Sequence, residues 1–142
     1  MSQKLVIYSD GACKGNPGVG GWGAILIYGE IEKEINGYDP NTTNNRMELS
    51  AVIEALKILK RPCEIVIYTD SQYVKRGMTE WLPGWLQKNW KNVKNPDLWQ
   101  KLLELSQQHQ IDWQWVRGHS GDKYNERADQ LANLAIEQHK SS

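Results

Sequence analysis

The chain has 142 residues, 39% of them apolar and 24% charged, and its formal net charge is zero. That length suits one domain with a core of its own, and the composition excludes a disordered or collagen-like chain. Zero net charge removes any global attraction to polyanions, so nucleic-acid binding must come from a local patch.

In chain order, residues 4–10 (KLVIYSD) are apolar and β-branched and predict a strand. The next stretch, DGACKGNPGVGGWG (10–23), is glycine-rich, and Gly18, Gly20 and Gly23 match the spacing of a dinucleotide-binding loop. Such a loop must open a helix, yet AILIYGE follows. The match is therefore spurious, and the glycines are expected to turn the chain and admit a close neighbour. Residues 21–30 and 30–39 predict two more strands, joined at Gly29-Glu30 by a tight hairpin. TTNNRMELSAVIEALKILK (42–60) predicts a helix, with Thr and Asn as cap candidates and Pro62 just beyond. EIVIYTD (64–70) reads as a strand buried on both faces, and 71–78 as a short helix. Residues 79–97 are expected to be irregular. A helix over 97–110, a strand over 111–118 and a helix over 124–140 complete the chain. Three hairpin-like strands followed by βα alternation predict an α/β fold with a mixed sheet covered by helices.

VIYSD (6–10) and VIYTD (66–70) are two buried-type strands that run into an aspartate. As parallel neighbours ~4.8 Å apart, they would set Asp10 and Asp70 side by side at the carboxyl edge of the sheet, where α/β folds bind ligands. Carboxylates that close repel unless one is protonated or a cation lies between them. Each Asp alone could equally be a turn or cap residue. Glu48 falls with Val52, Ala55 and Leu59 on the apolar stripe of the first helix, where a charge needs compensation. A metal would supply it, and so would a capping box over Asn45–Glu48. Asp129 sits at the edge of the apolar stripe of the last helix. His119, in the polar loop before that helix, becomes a candidate proton carrier beside such a cluster. Four acids without a His or Cys ligand set suit a hard cation, Mg²⁺ or Mn²⁺ and not Zn²⁺. Shared carboxylates invite two such ions about 3.5–4 Å apart, a clamp for in-line displacement at phosphorus.

Residues 75–101 carry Lys75, Arg76, Lys88, Lys91, Lys94 and Lys101 against Glu80 and Asp97. Trp81, Trp85, Trp90 and Trp99 lie among them. Cations mixed with flat rings suit a nucleic-acid backbone and its bases, although a satellite core with a lysine rim has the same composition. Cys13 and Cys63 are the only cysteines and read as free thiols of a reducing cytosol. No signal peptide and no apolar run of ~20 residues is present, so a cytoplasmic, monomeric protein is expected.

YSDGACKGNPGVGGWG, TTNNRMEL, IYTDSQYV, the segment around WL…DLWQKL, and WVRGHSGDKYNERADQLA occur in that order across nearly the whole chain. In these the chain resembles the bacterial type 1 ribonuclease H family. The resemblance implies a ribonuclease H-like fold: a mixed five-stranded sheet, three antiparallel strands and then parallel ones, in a single catalytic domain over 1–142. It implies an endonuclease that cuts the RNA strand of RNA–DNA hybrids with Mg²⁺, leaving 5′-phosphate and 3′-hydroxyl ends. The carboxylates that hold the metal would be Asp10, Glu48, Asp70 and Asp129, with His119 as a further catalytic residue. Hybrid contacts would fall on Cys13, Asn16, Asn44, Asn45, Ser71 and Gln72, and Thr43 would meet a DNA phosphate. The basic protrusion at about 79–97 would grip the DNA strand, with Trp81 its best-placed member. Position 41 is Asn where relatives often carry a basic residue, and the protrusion is shorter and less basic than in familiar members. A DNA-acting polynucleotidyl transferase or resolvase of the same fold, and a non-catalytic hybrid-binding module, are the alternatives.

Overall fold

The computed structural model describes residues 4–117 and 122–140. Three long strands open it, β1 (Leu5–Gly15), β2 (Gly18–Tyr28) and β3 (Ile31–Thr42), each antiparallel to the next. β4 (Glu64–Thr69) runs parallel to β1, and β5 (Gln110–Trp115) runs parallel to β4. The order across the sheet is β3-β2-β1-β4-β5, the mixed five-stranded α/β arrangement expected. The glycine-rich stretch is mostly strand, and only Gly15–Gly18 turn. Gly29, at φ 63°, makes the second hairpin turn.

The helices are α1 (Asn44–Lys57), α2 (Gln72–Arg76), α3 (Leu82–Gln87), α4 (Pro96–Ser106) and α5 (Lys123–Lys140). α1 begins where Thr43 accepts the Arg46 N–H through its hydroxyl at 3.3 Å, a side-chain cap for an otherwise orphan donor. It buries Leu49, Val52, Ile53 and Leu56, at helical spacing, against Ile7, Leu26, Ile65 and Ile67 of the sheet and Leu102 of α4. The other face of β1 and β2 carries α5, through Ala128, Ala132, Ala135 and Ile136. Arg127 ties α5 to the edge strand by ion pairs to Glu32 at 2.9 Å and Glu34 at 2.6 Å.

Two sequence expectations fail here. The helix over 42–60 is shorter and starts at Asn44, so Glu48 lies beyond its first turn and takes no part in a capping box. Residues 79–97 are not irregular throughout, because a wide helical turn over Gly77–Trp81 continues into α3. Their composition argues for a loop, but tertiary packing overrides it. Leu82 is buried, and Trp85 lies 4.9 Å from the fully buried Trp99, ring to ring. Beyond α3 the chain turns through left-handed Asn89, Trp90, Asn92 and Asn95. Asn tolerates that conformation, and the Trp90 N–H is held by the Trp85 carbonyl at 2.9 Å.

Glycines set how closely the layers approach, Gly11 and Gly23 among them. A Cβ on Gly11 of β1 would stand 2.5 Å from the Glu48 backbone nitrogen of α1. A Cβ on Gly23 of β2 would stand 2.6 Å from the Ala128 carbonyl oxygen of α5. Gly23 is the register partner of Asp10. We expect Gly23→Ala to cost about 1–3 kcal/mol in urea unfolding, as overpacking does. Gly84→Ala, which meets nothing within 4 Å in α3, should be neutral or slightly stabilising.

Candidate active site

β1 and β4 pair in register from Leu5↔Ile65 to Ser9↔Thr69. The residues that follow are Asp10 on β1 and Asp70 just beyond β4, which are thereby brought side by side as the repeated VIYxD pattern predicts. α1 adds Glu48. One carboxylate oxygen from each of Asp10, Glu48 and Asp70 lies within 4.8 Å of the others. Asp129 of α5 joins them in lining one open cleft of about 400 Å³, together with Gly11, Asn44, Asn45, Ser71, Gln72 and Tyr73.

Asp10 and Glu48 are buried, 5% and 4% exposed. The Gly11 N–H stands between them. It donates to Asp10 Oδ1 at 2.9 Å and, over a short contact, to Glu48 Oε1. One donor cannot neutralise two anions. Burial first, then the charge of Glu48, pushes the Asp10 carboxyl well above the usual carboxylate range. Burial raises Glu48 as well, opposed by hydrogen bonds from Asp10, Gly11 and Ser71. Burial and mutual repulsion therefore favour a proton on the pair, or a cation in its place. All the donors are oxygens, a set suited to a hard divalent cation. Asp129 is oriented by Asn133, one turn on, whose amide donates to its carbonyl at 2.9 Å and its Oδ1 at 3.3 Å.

The remaining predicted residues fall on the rim or beside it. Asn44 and Asn45 are exposed in the first turn of α1, and the Asn44 N–H donates to Asn16 Oδ1 at 3.2 Å, joining the first hairpin to that helix. The Cys13 thiol donates to the Thr42 carbonyl at 3.4 Å, and burial pushes its pKa up, which disfavours the thiolate. Thr43 is the cap of α1 and Ser71 the cap of α2, where its hydroxyl accepts the Val74 N–H at 3.1 Å. Asn41 is exposed, its N–H bonded to Asp39. His119 lies outside the described residues.

The basic, aromatic segment divides. Trp99 is wholly buried and belongs to the core, while Trp85 and Trp90 pack against that core. Trp81 is partly buried, 6.2 Å from the ring of Tyr73, with the Arg76 guanidinium 5.1 Å above it. Lys88, Lys91 and Lys94 are exposed and absent from the ion pairs found among the described residues. A hydrogen-bond hub that sequence reasoning missed joins this segment to α1. Arg46 donates to both Asp97 oxygens, at 3.1 and 2.8 Å, and to Asn95 at 3.2 Å. Asn95 and Trp99 both donate to the Tyr73 hydroxyl, at 3.1 and 2.9 Å. The polar residues alone gave no signal of this, since the pairing runs between segments far apart in sequence.

Comparison with known proteins agrees with this geometry. The RNase H family model matches residues 2–137. A ribonuclease H of Cupriavidus necator is 64% identical over 140 residues, covering 95% of this chain and 97% of its own. Among solved structures, LC9-RNase H1, a type 1 RNase H with the type 2 active-site motif, superposes with a TM-score of 0.88 at 33% identity over 97% of this chain and 74% of that one. LC11-RNase H1, solved in complex with an RNA/DNA hybrid, gives 0.72 at 26% identity over 96% of this chain and 99% of that one.

The raised carboxyls have a consequence for stability. The folded state binds more protons than the unfolded chain above pH ~4, the ordinary carboxylate range. Metal-free stability is therefore full below that range and is lost as pH rises through the raised values. Asp10→Asn removes one of the two charges. We expect it to flatten this pH dependence and to stabilise the metal-free protein at pH 8 by about 1–3 kcal/mol, at about 1.4 kcal/mol per pKa unit, measured by urea unfolding in EDTA.

Proposed function

The chain belongs to the ribonuclease H family, and from that premise we propose that it hydrolyses the RNA strand of RNA–DNA hybrids, leaving 5′-phosphate and 3′-hydroxyl ends. The observation that carries this reading is the buried carboxylate cluster at the floor of an open, polar cleft. A binding module has no use for acids that repel one another.

Asp10, Glu48, Asp70 and Asp129 would hold divalent metal, Mg²⁺ or alternatively Mn²⁺, and the all-oxygen donor set fits such ions. A pair of ions bound there supplies Lewis acidity at phosphorus and lowers the pKa of water. Asp10 and Glu48 would hold such metal from the buried side of the cluster, and Asp70 from its more open side. In the hydrolysis an oxygen–phosphorus bond forms from water, the bond from phosphorus to the 3′ oxygen breaks, and a proton ends on that oxygen. His119 is the group we assign to moving that proton, since its unperturbed pKa is near neutral.

Recognition falls to the rim. Asn16, Asn44, Asn45 and Gln72 carry amides that both donate and accept, as a 2′-hydroxyl requires, and only that group separates RNA from DNA at a given position. Cys13 and Ser71 add weaker contacts. The Thr43 hydroxyl accepts from Arg46 and keeps its own proton for a phosphate of the DNA strand. Trp81 offers a ring to the DNA strand, and Lys88, Lys91 and Lys94 supply charge beyond it. The chain then acts as one catalytic domain over 1–142, with 79–97 as its protrusion, in the cytoplasm and as a monomer. Among the described residues no helix is long and apolar enough to cross a membrane.

With Mg²⁺ and matched RNA–DNA, RNA–RNA and DNA–DNA duplexes, cutting should be confined to the RNA of the hybrid. Asp10→Asn and Asp70→Asn should each lower kcat about a hundredfold or more, as loss of a group that stabilises transition-state charge does. Cutting of duplex DNA would instead favour a transferase or resolvase, and binding without cutting a recognition module. Trp81→Ala should raise KM for the hybrid and leave kcat nearly unchanged, the signature of lost uniform binding.

A further inference from the structure

Trp115 closes β5 at the cleft end of the sheet, as the register partner of Thr69. It is 39% exposed, a poor position for the largest side chain if burial were its purpose. Its indole nitrogen instead donates to the main-chain carbonyl of Asp70 at 3.1 Å. Asp70 lies just past the end of β4. Three further bonds hold the same turn. The Val116 N–H donates to the Thr69 carbonyl at 2.9 Å, the Ser71 N–H to Thr69 Oγ1 at 3.0 Å, and the Val74 N–H to Ser71 Oγ at 3.1 Å. Each of these fixes a neighbour of Asp70. The Trp115 indole reaches Asp70 itself, from another element.

We propose that Trp115 is a positioning residue for Asp70, fixing the peptide that carries this carboxylate within the cluster. The proposal rests on the reading of Asp70 as a metal-holding catalytic acid. The physical reason is the small tolerance of the site. Asp10 and Glu48 are rooted in buried strand and helix, whereas Asp70 is half-buried and sits at a strand end. A freely pivoting Asp70 would spread its oxygens away from the 4.8 Å grouping. A displacement of order 1 Å at a reacting centre costs up to about a hundredfold in rate.

The test is Trp115→Phe, which keeps a ring and removes the donor. Trp113→Phe, on the same strand with its side chain packed toward the core, is the control for general damage to β5. Wild-type cutting of the hybrid, measured first, decides the underlying reading separately. For Trp115→Phe we expect kcat to fall about tenfold with KM for the hybrid within twofold, and calorimetric Mn²⁺ affinity without substrate to weaken severalfold. For Trp113→Phe we expect unchanged kcat and Mn²⁺ affinity, whatever its Tm. If Trp115→Phe does not fold, protection of the Trp115 indole proton from exchange in the wild type decides, and fast exchange overturns the proposal. A raised KM with unchanged kcat and Mn²⁺ affinity would make Trp115 a substrate contact. A lowered Tm with all three constants unchanged would make it structural only. Either result overturns the assignment.

Discussion

Everything in this fold converges on two buried carboxyl groups that share one backbone donor. Asp10 and Glu48 meet at the Gly11 N–H, and Asp70 stands within reach of both. Burial makes their charged forms costly, and the mutual repulsion adds to that cost. Asp129 joins the same cleft. Such a site destabilises the free protein and is tolerable because the rest of the core is ordinary and well packed. It also gives a divalent cation a large reason to bind, since binding removes repulsion that already exists.

The architecture serves that cluster through close approach. Three layers contribute the four acids: the sheet and its edge through Asp10 and Asp70, α1 through Glu48, and α5 through Asp129. Layers that far apart in sequence can bring short side chains together only if their backbones nearly touch. Gly11 permits this on the α1 side of the sheet and Gly23 on the α5 side, directly across from Asp10. The ion pairs of Arg127 with Glu32 and Glu34 hold α5 down. Arg46 and Tyr73 lock the start of α1 to the aromatic segment. The glycine-rich stretch is thus less a loop for a phosphate than the seat on which the acids are assembled.

Much of this was legible in the residues. The repeated VIYxD pattern placed Asp10 and Asp70 as parallel neighbours because register in a β pair follows from like sequence and like burial. Helical periodicity put Glu48 on the wrong face for a solvated acid. The helical content of 79–87 was not legible, since Pro83 and Gly84 argue locally against it and only packing on Trp99 supplies the compensation. Nor was the division of the tryptophans. Trp99 is core and Trp81 is rim, a difference set by tertiary position and not by composition. The Trp115 contact to Asp70 was likewise beyond reach, because a side-chain bond to a main-chain carbonyl 45 residues away leaves no pattern.

The central claim is that these acids are held together against their own repulsion and are relieved by a divalent cation. Thermal unfolding of the wild type and of Asp10→Asn, with and without Mg²⁺ at constant pH and ionic strength, tests it most directly. The account predicts a saturable rise in wild-type Tm, as for any ligand of the folded state alone, and little or no rise in Asp10→Asn. An equal rise in both proteins, or none in the wild type, would contradict it.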